Sequence, residues 1–190
     1  MKSYIEDQTF TKLNNEVNPL EKAEYENCTF VECDFSSAIL MSIVFSNCEF
    51  IECNFSMAKI TDTAFRSVDF KDCKLSGLHF DACNPFLLEM NFFNCNLNYS
   101  SFYQVNLKNR DFSGSSLQEV DFTEANLAGA IFNECDFHNA VFDRTNLMGA
   151  NFSTAQNYRI NPTNNTLKNA YFSYPGLIGL LSTFNIKIVK

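Results

Sequence analysis

Eight cysteines are the residues of this chain with the richest potential chemistry, because thiolates bind metals, carry redox couples and attack electrophiles. They are Cys28, Cys33, Cys48, Cys53, Cys73, Cys83, Cys95 and Cys135. The spacings Cys28-x4-Cys33 and Cys48-x4-Cys53 are not the C-x2-C of a zinc site. Up to Cys83 every separation is a multiple of five, and Cys95 and Cys135 are again eight steps of five apart. That rhythm belongs to a fold, not to a ligand set. The two histidines, His79 and His138, stand far apart. A glycine-rich phosphate loop, a nucleophile elbow and an HExxH motif are all missing. The expectation is a non-enzymatic protein without catalytic residues, cofactor or metal, whose thiols are structural, buried and reduced.

Carboxylates are the remaining chemistry. The 22 Asp and Glu outnumber 14 Lys and Arg, for a formal charge of −8 and a pI near 4.7. Such a chain is poorly suited to direct binding of nucleic acid or of an anionic membrane, both of which need clustered cations. It suits solubility, and equally a partner with a basic surface. Residues 1–24 contain no apolar core of signal-peptide length, and no run approaches a transmembrane span. A cytoplasmic location is expected, where thiols stay reduced.

The elements that carry these groups follow from one periodicity. Stepping by five from Tyr25 lands on Phe30, Phe35, Leu40, Phe45, Phe50, Phe55, Ile60, Phe65, Phe70, Leu75, Phe80 and Pro85. Two residues are inserted between Asp81 and Asn91. The count then resumes at Leu87 and runs through Phe92, Leu97, Phe102, Leu107, Phe112, Leu117, Phe122, Leu127, Phe132, Phe137, Phe142 and Leu147 to Phe152. Of 27 centres, 26 are bulky and apolar, a match that periods of 3.6 or 2 would lose within two steps. Two positions before the centres lie small residues at most steps, including Ala38, Ala58, Ala125 and all eight cysteines. The unit is small–x–bulky–x–x, with two side chains inward and three outward. Arg110 is out of place, occupying a small inward slot.

This unit resembles that of the pentapeptide-repeat proteins over about residues 23–156. Ala125-Asn126-Leu127-Ala128-Gly129 and Ala150-Asn151-Phe152-Ser153-Thr154 match it closely. The resemblance implies an all-β fold, a right-handed quadrilateral β-helix in which four repeats make a twenty-residue coil. Twenty-seven repeats give almost seven coils, a rod of roughly 32 Å at the inter-strand spacing. Positions twenty apart then share a face. Glu32, Glu49, Glu52, Asp69 and Asp72 fall on the face of Phe30, Phe50 and Phe70, and Asp111 and Glu134 continue it past the insertion. The repeat region 25–155 carries 17 acidic and 7 basic residues.

The expected organisation is an N-terminal cap at 1–24, the β-helix at 25–156, and a final partial coil with a C-terminal helix and strand at 157–190. Pro175 suits a first helical turn. Leu177, Leu180, Leu181 and Phe184 make one apolar helix face, and Ile186 and Ile188 alternate like a short strand. The run Arg159-Ile160-Asn161-Pro162 through Asn165, followed by Gly176-Leu177-Ile178-Gly179-Leu180-Leu181 and Ile186-Lys187-Ile188-Val189, is similar to the tail of the microcin immunity protein McbG. It is similar, more loosely, to that of the Qnr quinolone-resistance proteins. The resemblance implies a homodimer through Leu177, Ile178, Leu180, Leu181, Phe184, Ile186 and Ile188. It also implies a DNA-mimicking acidic surface that binds DNA gyrase or topoisomerase IV and protects it from toxins or quinolones. The long loops of some Qnr proteins are absent here. The alternative is a protein-interaction scaffold with an unrelated partner.

Overall fold

The computed structural model describes residues 3–184, 186–187 and 189. The chain winds as a right-handed, four-sided parallel β-helix of about eight coils. Short strands mark two of its sides. On one side β1 (Ser3–Glu6), β3 (Ala23–Glu26), β5 (Val44–Ser46) and β7 (Ala64–Arg66) stack in that order. On the next, β2 (Thr9–Thr11), β4 (Thr29–Val31), β6 (Glu49–Ile51), β8 (Val68–Lys71) and β9 (Met90–Phe93) do the same. β10 (Asn151–Phe152) and β11 (Tyr171–Phe172) pair near the C-terminal end. The other sides are held by single parallel bridges such as Asp34↔Asn54 and Ile39↔Lys59.

The corners explain the five-residue unit. In the typical corner the N–H three residues after a centre bonds back to that centre's carbonyl, as from Ala38 to Phe35 at 3.0 Å. The residue before it takes a left-handed backbone, as Ser37 does at φ 55°. Only four of the residues in this conformation are glycine. The others accept roughly 1 kcal/mol of strain each, offset by a hydrogen bond to the next coil, such as Ser37 N–H to the Ser56 carbonyl at 2.9 Å.

Inside, rings pile in columns. Phe10, Phe30, Phe50, Phe70, Phe92, Phe112, Phe132, Phe152 and Phe172 form one unbroken ladder with centroids 4.7–5.4 Å apart. Each ring also meets others edge-on, as Phe50 meets Phe45 and Phe55. Phe30, Phe50, Phe92 and Phe112 are fully buried. At about 25 cal/mol per Å² each such ring supplies roughly 1.5–3 kcal/mol of burial.

Two expectations need correction. The helix begins at Ser3, not Tyr25: β1 and β2 pair with β3 and β4 in the register Ile5↔Tyr25 and Phe10↔Phe30, so the segment expected as a separate cap is a coil. Leu87 is not a core centre. It is 65% exposed with φ 58°, because the insertion between Asn84 and Met90 bulges outward and gives the half-buried place to Leu88. Across the bulge the pairing step lengthens from 20 to 22 residues, as in Phe70↔Phe92. After Phe152 the core is continued by Tyr158, which lies off the five-step count, and by Ile160 in the phase of the small slot.

Candidate interaction surface

The acidic residues sit on the side built by β4, β6 and β8. Glu49 and Asp69 are register partners on adjacent strands, with Asn91 next in the column. Glu32, Glu52 and Asp72 occupy successive left-handed corners, with φ of 52°, 54° and 55°. One carboxylate per coil therefore repeats at about the 4.8 Å strand spacing. Further along, Asp111 follows Asn91 in the strand column, and Glu134 follows Asn94 and Gly114 in the corner column. The structure thus brings all seven predicted residues onto one side.

Their partners differ. Lys12 pairs with Glu32 at 3.3 Å, and Lys71 with Glu49, whose carboxylate raises the Lys71 pKa by hydrogen bonding. Asn91 donates to Asp69 at 2.9 Å, and the Ser113 N–H donates to Asp111 at 2.8 Å. Glu52, Asp72 and Glu134 are exposed at the corners. Partly buried apolar side chains, Ile51 and Phe93, lie between the columns, and Ile131 takes the strand-column place after Asp111.

Arg110 does not disturb this side. Its side chain leaves the inward slot between Met90 and Ala130, donates Nε to the Lys108 carbonyl at 3.0 Å, and pairs with Glu89 of the bulge. That pair holds the Glu89 carboxyl below its usual pKa.

All eight thiols are buried and free. Desolvation pushes the Cys48 and Cys135 thiols up to about 12. Each donates to a carbonyl of the previous coil, as Cys48 does to Tyr25 at 3.4 Å. Both histidines point outward, and His79 lies 3.4 Å from Asp81. Among the described residues no group of three or more His, Cys, Asp or Glu could hold a metal, and no helix is long and apolar enough to cross a membrane.

At the C-terminal end a 3-10 turn (Pro175–Leu177) leads into α1 (Ile178–Leu181) and a second 3-10 turn (Ser182–Phe184). Gly179 lies flat on Tyr158, so that a Cβ there would sit 2.7 Å from the ring. The segment docks through Leu180, which packs on the core. This corrects Leu180 as an interface residue: it faces the rod. Leu177, Ile178, Leu181, Phe184 and Ile186 are exposed, and Ile188 lies outside the described residues. Ile178, Leu181 and Ile186 help line a groove of about 810 Å³ between this segment and the last coil.

A parallel four-sided rod with one small and one bulky residue inward per five defines the class. The family models of a pentapeptide repeat region (residues 63–135 and 84–152) and of pentapeptide repeats (residues 28–66) match the chain. Together they span about two thirds of it, and the chain belongs to the pentapeptide-repeat family. Among solved structures it is similar to full-length QnrB1, a plasmid-mediated fluoroquinolone resistance protein. The identity is 20%, covering 97% of this chain and 100% of that one, with a TM-score of 0.50. It is also similar to HetL, a pentapeptide repeat protein involved in heterocyst differentiation regulation from the cyanobacterium Nostoc sp. strain PCC 7120. There the identity is 19%, covering 90% and 84%, with a TM-score of 0.39. A pentapeptide repeat protein of the Arabidopsis thaliana thylakoid lumen is 22% identical over 82% and 88%, with a TM-score of 0.24. No curated protein matches the chain significantly. At these identities the likeness concerns the fold.

Proposed function

We propose that this protein is a non-enzymatic, cytoplasmic DNA mimic that binds a type II topoisomerase, DNA gyrase or topoisomerase IV, and modulates or protects it. The observation that carries the reading is a pair of columns on one side, with carboxylates at Glu49, Asp69 and Asp111 in one and at Glu32, Glu52, Asp72 and Glu134 in the other. Rigidly spaced carboxylates meet the arginines and lysines that otherwise hold phosphates, and such contacts weaken steeply with salt. The test is supercoiling by purified gyrase at low salt, with and without a quinolone. Inhibition or protection at micromolar protein is expected, and its absence rejects the topoisomerase. The triple variant Glu32→Lys, Glu52→Lys, Asp72→Lys loses the effect. An unchanged effect eliminates this face.

The same reading includes a homodimer through the C-terminal segment. Its support is the row of exposed apolar side chains beside the groove, a surface that association would cover. Leu181→Asp halves the mass seen by light scattering, and an unaltered mass refutes the assignment.

A scaffold with an unrelated partner is the second reading. The lysine pairs Lys12–Glu32 and Lys71–Glu49 favour it, since they neutralise two of the seven carboxylates.

A further inference from the structure

The bulge at residues 85–89 is the place where the twenty-residue pairing step breaks, and it sets two large apolar side chains side by side in water. Phe86 and Leu87 are 64% and 65% exposed at its tip. They are not loosely held. Asn84 Oδ1 accepts the Phe86 N–H at 3.0 Å, and the Arg66 guanidinium lies 5.6 Å from the Phe86 ring centroid. Large apolar side chains fixed in water gain nothing for the fold, so their free energy is available to whatever covers them.

A hollow opens on either side of this tip, and Leu87, Leu88 and Asn106 line both. The larger, about 580 Å³, is mixed, with Pro85, Tyr103 and Val105 beside Asp81 and Gln104. The smaller, about 270 Å³, is cationic and holds Arg66, Lys108 and Arg110. These are three of only seven Lys and Arg in residues 25–155. The carboxylates facing them are Glu89, paired with Arg110, and Glu24, 3.7 Å from Arg66. Within this smaller hollow one positive charge is left over, and Asp81 lines the other one. Arg66 Nε is shielded from water without a hydrogen-bond partner, a donor lacking its acceptor.

We infer that the two hollows form one cleft that docks an extended segment of a protein partner, in which a carboxylate adjoins a large apolar side chain. The carboxylate enters among Arg66, Lys108 and Arg110, where guanidinium forks match its two oxygens. The apolar side chain fills the space under Leu87 and Leu88. The single surplus charge suits a carboxylate better than a dianionic phosphate. The cleft lies on the side next to the acidic columns, so both surfaces can be engaged at once. The inference stands whether or not the partner is a topoisomerase.

The test uses the full chain and fluorescein-labelled decapeptides read by anisotropy at low salt. The probe alternates Glu and Leu, and the controls alternate Lys with Leu and Glu with Ser. The Glu–Leu probe binds about tenfold more tightly than either control. Lys108→Glu and Leu87→Ser each weaken it about tenfold. Lys59→Glu, the same charge change on another side, leaves it unaltered. Both cleft variants are exposed, and an unchanged melting temperature confirms that they fold. Equal binding of the three peptides, full affinity in both cleft variants, or an equal loss in Lys59→Glu overturns the inference. A fall in mass of Leu87→Ser by light scattering makes a second copy the occupant and overturns it too.

Discussion

At the residue scale the cysteines and Arg110 show how an inward slot decides chemistry. A thiol in an alanine-sized slot is desolvated, its pKa rises, and it ceases to be a nucleophile. The native protein is therefore expected to resist iodoacetamide at pH 8, with all eight thiols labelled only in denaturant, as intact mass would show. Phe50, stacked 4.7 Å from Phe30 and 5.1 Å from Phe70, is the ring whose loss tears the ladder most. Phe50→Ala is expected to cost about 3–5 kcal/mol in denaturant unfolding. Glu89 provides a pH signature. Its pKa is lower folded than the ordinary 4.5 because Arg110 bonds to it, so its stabilisation is present above that value and lost as pH falls through the folded one. Glu89→Gln should melt below the wild type at pH 7, and the gap should close in acid. The thiol column could be read from the sequence because cysteine took turns with alanine at one phase of the repeat. The fate of Arg110 could not, because its partner sits on a bulge whose path no period specifies.

At the element scale the bulge and the C-terminal segment are the parts that the repeat does not dictate. Counting by five placed Leu87 inward, and the chain puts Leu88 there instead, because an inserted pair can be absorbed at any residue between Asn84 and Met90. The apolar periodicity of 177–184 was legible, but not which flank faces the rod. That is settled by Gly179, whose missing side chain lets the helix lie against Tyr158. Gly179→Val is expected to lift the segment off the last coil while leaving the β-helix intact. Faster hydrogen exchange confined to residues 176–184 would show it, and unchanged exchange would count against this docking. The acidic columns followed from the period alone, since a twenty-residue coil stacks every fourth unit.

At the scale of the whole molecule each coil touches only its neighbours, so stability is a sum over stacked units. Removing one coil in register, for instance residues 117–136, keeps every column continuous. The shortened rod is expected to fold, with the same circular dichroism per residue and a smaller denaturant m-value. Removing nineteen residues instead shifts the phase by one, turning bulky residues outward and polar ones inward, and that variant should not fold. The rod, its phase and its corners could all be read from the order of residues because a five-step code is redundant over so many units. The ends were harder. Residues 3–20 form a coil with few bulky centres to announce it, and Tyr158 fills the core outside the count.

Parallel pairing at a fixed distance of about twenty residues has a consequence for synthesis. No strand waits for a partner still to be translated, since the surface it pairs with left the ribosome one turn earlier. At about 5–20 residues per second a new turn is completed every few seconds. The protein can be wound as it emerges, each turn templating the next, from the amino terminus onward.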